Sequence, residues 1–360
     1  MGCFETRNRK RQRRSHEQIP ADEDQNLKEL IPILHCLSNI KLLAKYFKND
    51  YNKIEQISSY KTCHIQKFCL TDYFMDVFDK KWSDSLNEIN TSVSIKKEAK
   101  EFLQEIYEIY PKYNENEELL LNLIIMRLHE ELNKKDNPNP QNPIMSNADK
   151  NLAANEYCQF FSNGHQSIMS DNFFGTYYIH TFCNTCQSNF YSFQPYIFGT
   201  YSLDQVYNYK TMVFQNAQNG MAPINEINIY DCLGYDQQIK NESQLCKKCG
   251  VVTNCCIRNV IFVTSQILTF IFNKNSLPNV RFSVYEKINI NPFVENKANV
   301  NYDLFGIIAT SFQDKYTTFC KNPIDNKWYC YDDTNAVMKN NFQEIIMSVG
   351  FPYMLFYKAL

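Results

Sequence analysis

The stretch NYDLFGIIATSFQDKYTTFCKNPIDNKWYCYDD, residues 301–333, decides the fold. Apolar and polar residues alternate along it. One break, Asn322-Pro323-Ile324-Asp325-Asn326, carries turn chemistry. Tyr, Thr, Phe and Trp suit a pleated, half-buried surface, while Pro and Asn/Asp supply turn geometry. The pattern predicts strands over Tyr302–Ala309, Lys315–Lys321 and Lys327–Tyr331, the last two paired as a hairpin. A further strand, Tyr353–Tyr357, ends the chain.

Working outward, 360 residues with 44% hydrophobic and 14% aromatic content supply a large core. The net charge of −2 argues against a nucleic-acid-binding body. The sum hides an asymmetry. Arg7, Arg9, Lys10, Arg11, Arg13 and Arg14 crowd the first 14 residues, opposed only by Glu5. Fourteen cysteines and no secretory leader lead us to expect a reducing compartment, with cysteines as buried thiols, metal ligands or nucleophiles. No apolar run reaches the roughly 18–20 residues of a spanning helix. The most apolar segment, Val260–Phe272, is interrupted by Thr264, Ser265 and Gln266 and reads as buried strands.

The start, Met1-Gly2-Cys3-Phe4-Glu5-Thr6, fits the N-myristoylation pattern, with Cys3 as a neighbouring palmitoylation site. One acyl chain anchors only marginally, and a second signal is needed. Cys3 and the basic run both qualify, the latter at about 1 kcal/mol per cation near an anionic leaflet. The expectation is a disordered tail over residues 1–24, peripheral on the cytoplasmic face of a membrane. A basic run can also be a nuclear signal.

Cys183-Asn184-Thr185-Cys186 and Cys246-Lys247-Lys248-Cys249 are two C-x₂-C pairs. Two such knuckles can close a tetrahedral thiolate site for structural Zn²⁺; the alternative is four buried thiols. Lys247 and Lys248 offset surplus negative charge, and Gly250 permits the turn. Cys232, Cys255 and Cys256 read as core thiols. So do Cys63 and Cys69, because no second pair stands near Cys63-His64.

These blocks resemble the ubiquitin-specific proteases, papain-like thiol deubiquitinases. The C-terminal block of that family is matched by Tyr302–Ile308, Asp314–Thr318 and Lys327–Asp333. Its entry to the fingers is matched by Ser167–Gly175, its zinc ribbon by the cysteine pairs, and a thumb helix by Leu128-His129-Glu130-Glu131-Leu132. The resemblance implies an α+β, papain-like thumb–palm–fingers architecture: a helical thumb, an antiparallel β palm and zinc-ribbon fingers. It implies one domain over 25–360, with the thumb at 25–150, a linker at 134–151, fingers at 168–271 and the palm at 272–360.

The first box of the family falls on Asn26–Phe47, where Leu27, Leu30, Leu34 and Leu37 sit at helical spacing. Pro32 suits a first turn, so the helix is expected to start near Ile31 or Pro32. Aligned through this segment, the family's nucleophilic cysteine falls on Lys28 and its oxyanion-hole asparagine on Glu23. The catalytic histidine falls on Lys315, and only the orienting residue, Asp332, keeps its letter. Lysine cannot replace a thiolate at its ordinary pKa, and a carboxylate repels an oxyanion. Cys36 reads as an ordinary buried thiol and His35 as a helix-surface residue. The six histidines end at His180, so none follows in the palm. Glu115 and Asn116 occupy the channel positions that meet the cationic, diglycine-ended ubiquitin tail in the family.

The expectation is therefore an inactive relative: a membrane-tethered module that binds ubiquitin, a ubiquitin-like protein or a ubiquitinated protein, with no nucleic-acid partner. The alternatives are an active cysteine deubiquitinase with relocated residues, or a structural protein that no longer meets ubiquitin.

Overall fold

The alternation at the C-terminus becomes the centre of a sheet. A computed structural model describes residues 23–66, 68–110, 120–135, 146–217, 225–273, 280–298, 300–310, 315–331, 336–349 and 351–360. Strand Asn301–Thr310 lies between Tyr316–Lys321 and Phe351–Ala359, both antiparallel to it. The hairpin forms as expected, with Cys320 opposite Tyr329 and Lys321 opposite Trp328. Its turn closes through Asn326 N–H to the Asn322 carbonyl, 2.9 Å, and Asn326 adopts φ +59°. Asparagine tolerates that left-handed conformation better than most residues. The Asn322 side chain also accepts from Ile324 N–H, an Asx turn.

This palm sheet runs, edge to edge, Ala336–Lys339, Trp328–Tyr331, Tyr316–Lys321, Asn301–Thr310, Phe351–Ala359, Ile267–Asn273 and Phe198–Ser202, with Lys287–Asn289 pairing beside Asn301–Thr310. Only the last pair, Phe198–Ser202 with Ile267–Asn273, is parallel. The palm is therefore not confined to 272–360. Two of its strands come from the segment expected to be fingers.

The second sheet has order Ser146–Asn147, Asn189–Tyr196, Gly175–Cys183, Val252–Val263, Lys240–Leu245. The interruption at Thr264–Gln266 is where one chain segment leaves this sheet for the palm. The other crossing is tighter, with only Ile197 between Asn189–Tyr196 and Phe198–Ser202. Helix Lys150–Gly164 covers one face through Tyr157, against Tyr178 and Phe193. It begins inside the expected linker 134–151, capped by Asp149, whose carboxylate accepts from Asn151 and Leu152 N–H.

The thumb is helical. Helix Glu23–Ser38 lies between the other thumb helices and the palm, with Leu30, Ile33, Leu34 and Leu37 fully buried. It starts about two turns earlier than expected, and Pro32 sits inside it. Burial of Leu27, Leu30 and Ile31 outweighs the lost bond, since Pro32 has no N–H to give to the Lys28 carbonyl. Helix Lys96–Ile109 packs Ala99, Phe102, Leu103 and Ile106 inward, as its spacing predicts. Phe74 lies edge-on to Phe47 and Phe78, each at 5.1 Å between ring centroids, in the middle of this layer. Among the described residues no helix is long and apolar enough to cross a membrane.

Candidate functional site

Lys28 and Lys315 are both exposed and border one thumb–palm contact. Glu29, next to Lys28, accepts a hydrogen bond from the Tyr353 hydroxyl at 2.8 Å. The Tyr353 ring lies 5.4 Å from that of Tyr316, the neighbour of Lys315. Burial raises the Glu29 carboxyl, and the Tyr353 hydroxyl pulls it back. Lys28 is not at a helix N-terminus. It is the sixth residue of Glu23–Ser38, so the dipole argument that would favour a thiolate does not apply at this position. Gly2, Cys3, Glu115, Asn116 and Asp332 lie outside the described residues, as does the Glu23 side chain.

Directly below this contact is a buried polar group that sequence reasoning missed. His35 is not on the helix surface: it is 3% exposed and stacked on Tyr331. Lys81, fully buried, donates to His35 Nδ1 at 3.1 Å and lies 4.6 Å above the centre of the Tyr331 ring. Cys36 faces Cys320 across the thumb–palm boundary, Sγ to Sγ 3.7 Å. Burial, then Lys81, drives the His35 imidazole well below its ordinary range. Burial, then Cys320, drives the Cys36 thiol well above its own. Burial also lowers Lys81 to about 8. A reactive cysteine needs the reverse, a stabilised thiolate with access to substrate.

The other described histidines are engaged elsewhere. His64 Nδ1 meets Asp72 at 2.8 Å. His129 bridges Ser167 and His165 at 2.7 and 2.8 Å. His180 stacks on Tyr191 in the fingers.

The fingertip brings together Cys183, Cys186, Cys246 and Cys249, all four sulfurs within 4.8 Å of one another. Cys183 and Cys249 are 4.0 Å apart, Cys186 and Cys246 3.6 Å. Four sulfurs at about 2.3 Å from a tetrahedral zinc would be about 3.8 Å apart, so the set fits that ion. The two knuckles repeat one geometry. Gln187 N–H donates to the Cys183 carbonyl and Gly250 N–H to that of Cys246, each at 2.9 Å. Gln187 and Gly250 take φ of +55° and +70°. Glycine serves one turn as its letter suggests; glutamine makes the same turn without that signal. Ser188 is the main cause lowering Cys186 to about 6, and the Cys249 amide is the main cause lowering Cys246. Cys255 and Cys232 are core thiols, but Cys256 is half-exposed and meets Asn184 and Asn241.

Cys63, Cys69 and Glu131 also bring three ligand-type atoms together. Glu131 is already saturated: it accepts from Leu70 N–H, Thr71 N–H, the Thr71 hydroxyl and Arg127 Nε. With Arg127 already providing the positive charge, a metal there has nothing to gain.

A helical thumb, a β palm and fingers whose tip gathers four cysteines match the ubiquitin-specific-protease fold. The family model described as ubiquitin carboxyl-terminal hydrolase matches residues 31–357, and this chain belongs to that family. The match starts three residues after Lys28. Among solved structures, the yeast SAGA DUB module with a mutant Sgf73 aligns at TM-score 0.59 and 13% identity, covering 96% of this chain and 71% of that one. The SAGA Ubp8/Sgf11/Sus1/Sgf73 DUB module bound to ubiquitin aldehyde aligns at 0.57 and 13%, covering 91% and 66%. A related module bound to monoubiquitin aligns at 0.54 and 13%, covering 96% and 72%. Comparison with curated protein sequences finds no match.

Proposed function

We propose that this chain is a catalytically silent member of its family, a ubiquitin-binding or scaffolding module held at a membrane by its N-terminal segment. One observation carries the reading: Lys28 and Lys315 stand where the resemblance asks for cysteine and histidine, and no histidine follows His180. Thiol hydrolysis needs a nucleophile and a base. The thiol and imidazole that the central thumb helix brings to the palm, Cys36 and His35, are buried and tuned the wrong way. This weighs against relocated catalysis.

Ubiquitin is proposed as the partner because similar modules are bound to ubiquitin aldehyde or monoubiquitin. Lys28 and Lys315 oppose deep entry of a cationic tail, so the globular part of ubiquitin would dock on the fingers and palm. Zinc is proposed as resident at the four fingertip cysteines, with a structural role. Myristoylation at Gly2, with Cys3 or the Arg7–Arg14 run as second signal, would hold the protein on the cytoplasmic face of a membrane.

The test is direct. A fluorogenic ubiquitin substrate should not be cleaved, and a ubiquitin-electrophile probe should not be captured. Turnover that one cysteine mutation abolishes would sink the reading. Labelled ubiquitin should bind more tightly than about 100 μM; no binding would favour a purely structural role. Vesicles containing phosphatidylserine should retain the myristoylated chain and release Gly2→Ala.

A further inference from the structure

A cavity of about 180 Å³ opens where the fingers meet the palm, away from the thumb–palm contact. Its walls include Tyr177 and Tyr196 from the fingers sheet, Tyr201 and Phe270 from the palm, and Leu233 and Asp236 from helix Ile229–Asp236. The rings of Tyr177 and Tyr196 lie 6.3 Å apart, those of Tyr201 and Phe270 6.2 Å. With Phe198, five aromatic side chains and one carboxylate line the same cavity.

Asp236 is the charged group in that lining, and it is only half engaged. Its Oδ2 accepts from the Tyr201 hydroxyl at 2.6 Å. Among the described residues it has no ion pair. Lys240 acts on it only from a distance, with its ammonium 5.7 Å from the centre of the Tyr235 ring. Burial raises the Asp236 carboxyl, the mark of a carboxylate lacking a close counter-charge. Asp236 is also the last residue of its helix, where the backbone dipole adds negative potential. Aromatic rings attract cations through their quadrupoles, and more strongly when water is excluded. Carboxylate, helix end and ring walls thus favour the same kind of ligand.

The geometry points to this cavity as a binding site for a small alkylated ammonium ion, its charge on the Asp236 carboxylate and its methyl groups against the tyrosine walls. The proposal does not rest on ubiquitin binding or on Lys28 and Lys315, neither of which lines the cavity.

Choline and its neutral isostere 3,3-dimethylbutan-1-ol test it on the full chain, by calorimetry or ligand-observed NMR. Choline is expected to bind, and the neutral isostere at least about tenfold more weakly. Asp236→Asn keeps an acceptor for Tyr201 and should lose about tenfold in choline affinity with an unchanged melting temperature. Tyr177→Leu should weaken choline as well. Equal binding of choline and the isostere overturns the proposal, as does absence of choline binding at millimolar concentration. Choline binding that appears only in Lys240→Met also overturns it, because the chain's own ammonium then fills the cavity.

Discussion

His35 lies against Tyr331 with ring centroids 4.4 Å apart and planes inclined by 29°. The contact joins the central thumb helix to the palm strand that leads into Asp332. Lys81 completes it from a third element, helix Leu70–Lys81, so one buried cation holds an imidazole and a phenol ring together.

The buried Lys81 predicts a pH signature. Its folded value is about 8 against an ordinary 10.5. Between those values the unfolded chain holds the proton and the folded chain has released it, so this group's contribution to stability rises with pH. Below about pH 8 both states are protonated, and the burial penalty, about 3 kcal/mol, is felt in full. Lys81→Met removes that penalty but leaves His35 Nδ1 without its donor, at about 1–2 kcal/mol. Urea titrations should find the variant more stable than the parent at pH 7, by about 1–2 kcal/mol. The advantage should shrink steadily from pH 8 to pH 10.

Metal analysis should find one zinc per chain, lost in Cys246→Ser and on chelation. Hydrogen exchange should then speed up in Gly175–Cys183 and Lys240–Leu245, the strands that end in the knuckles. The palm strand Asn301–Thr310 should keep its protection. Unchanged exchange at the fingertip without metal would refute a structural zinc.

Glu131 predicts a large cost. It is 2% exposed and holds two backbone N–H groups, a hydroxyl and Arg127. Glu131→Ala strands all of them and should destabilise by about 3–5 kcal/mol in denaturant titration. Glu131→Gln, which keeps an acceptor, should cost less.

Gly306 predicts a coupling. A methyl group there would lie 3.0 Å from Cys36 Sγ and 3.3 Å from Phe356 Cβ. Gly306→Ala should destabilise by about 1–3 kcal/mol through overpacking. The penalty should fall in a Cys36→Ala background, and a double-mutant cycle measures the difference.

The palm was readable because a two-residue period over residues 301–331 leaves few alternatives to strands. The knuckles were readable because C-x₂-C spacing is short and local. The start of the first helix was not, because Pro32 is a strong local signal overruled by the burial of Leu27 and Leu30. The position of His35 was not, because its partners, Lys81 and Tyr331, come from distant segments and no local pattern encodes them. The palm's extra strands were missed for a related reason: Phe198–Ser202 follows the fingers with one residue between, and nothing in its letters marks the change of sheet.

That change of sheet gives the molecule a mechanical property. Asn189–Ser202 and Val252–Asn273 are each one nearly unbroken run of extended chain serving two sheets. Tension applied at the fingertip would pass along covalent backbone into the palm. There it would load the hydrogen bonds between Ile267–Asn273 and Phe351–Ala359 together, in shear, instead of unzipping them singly. A load-bearing root of this kind lets the fingers be pulled without the palm coming apart first.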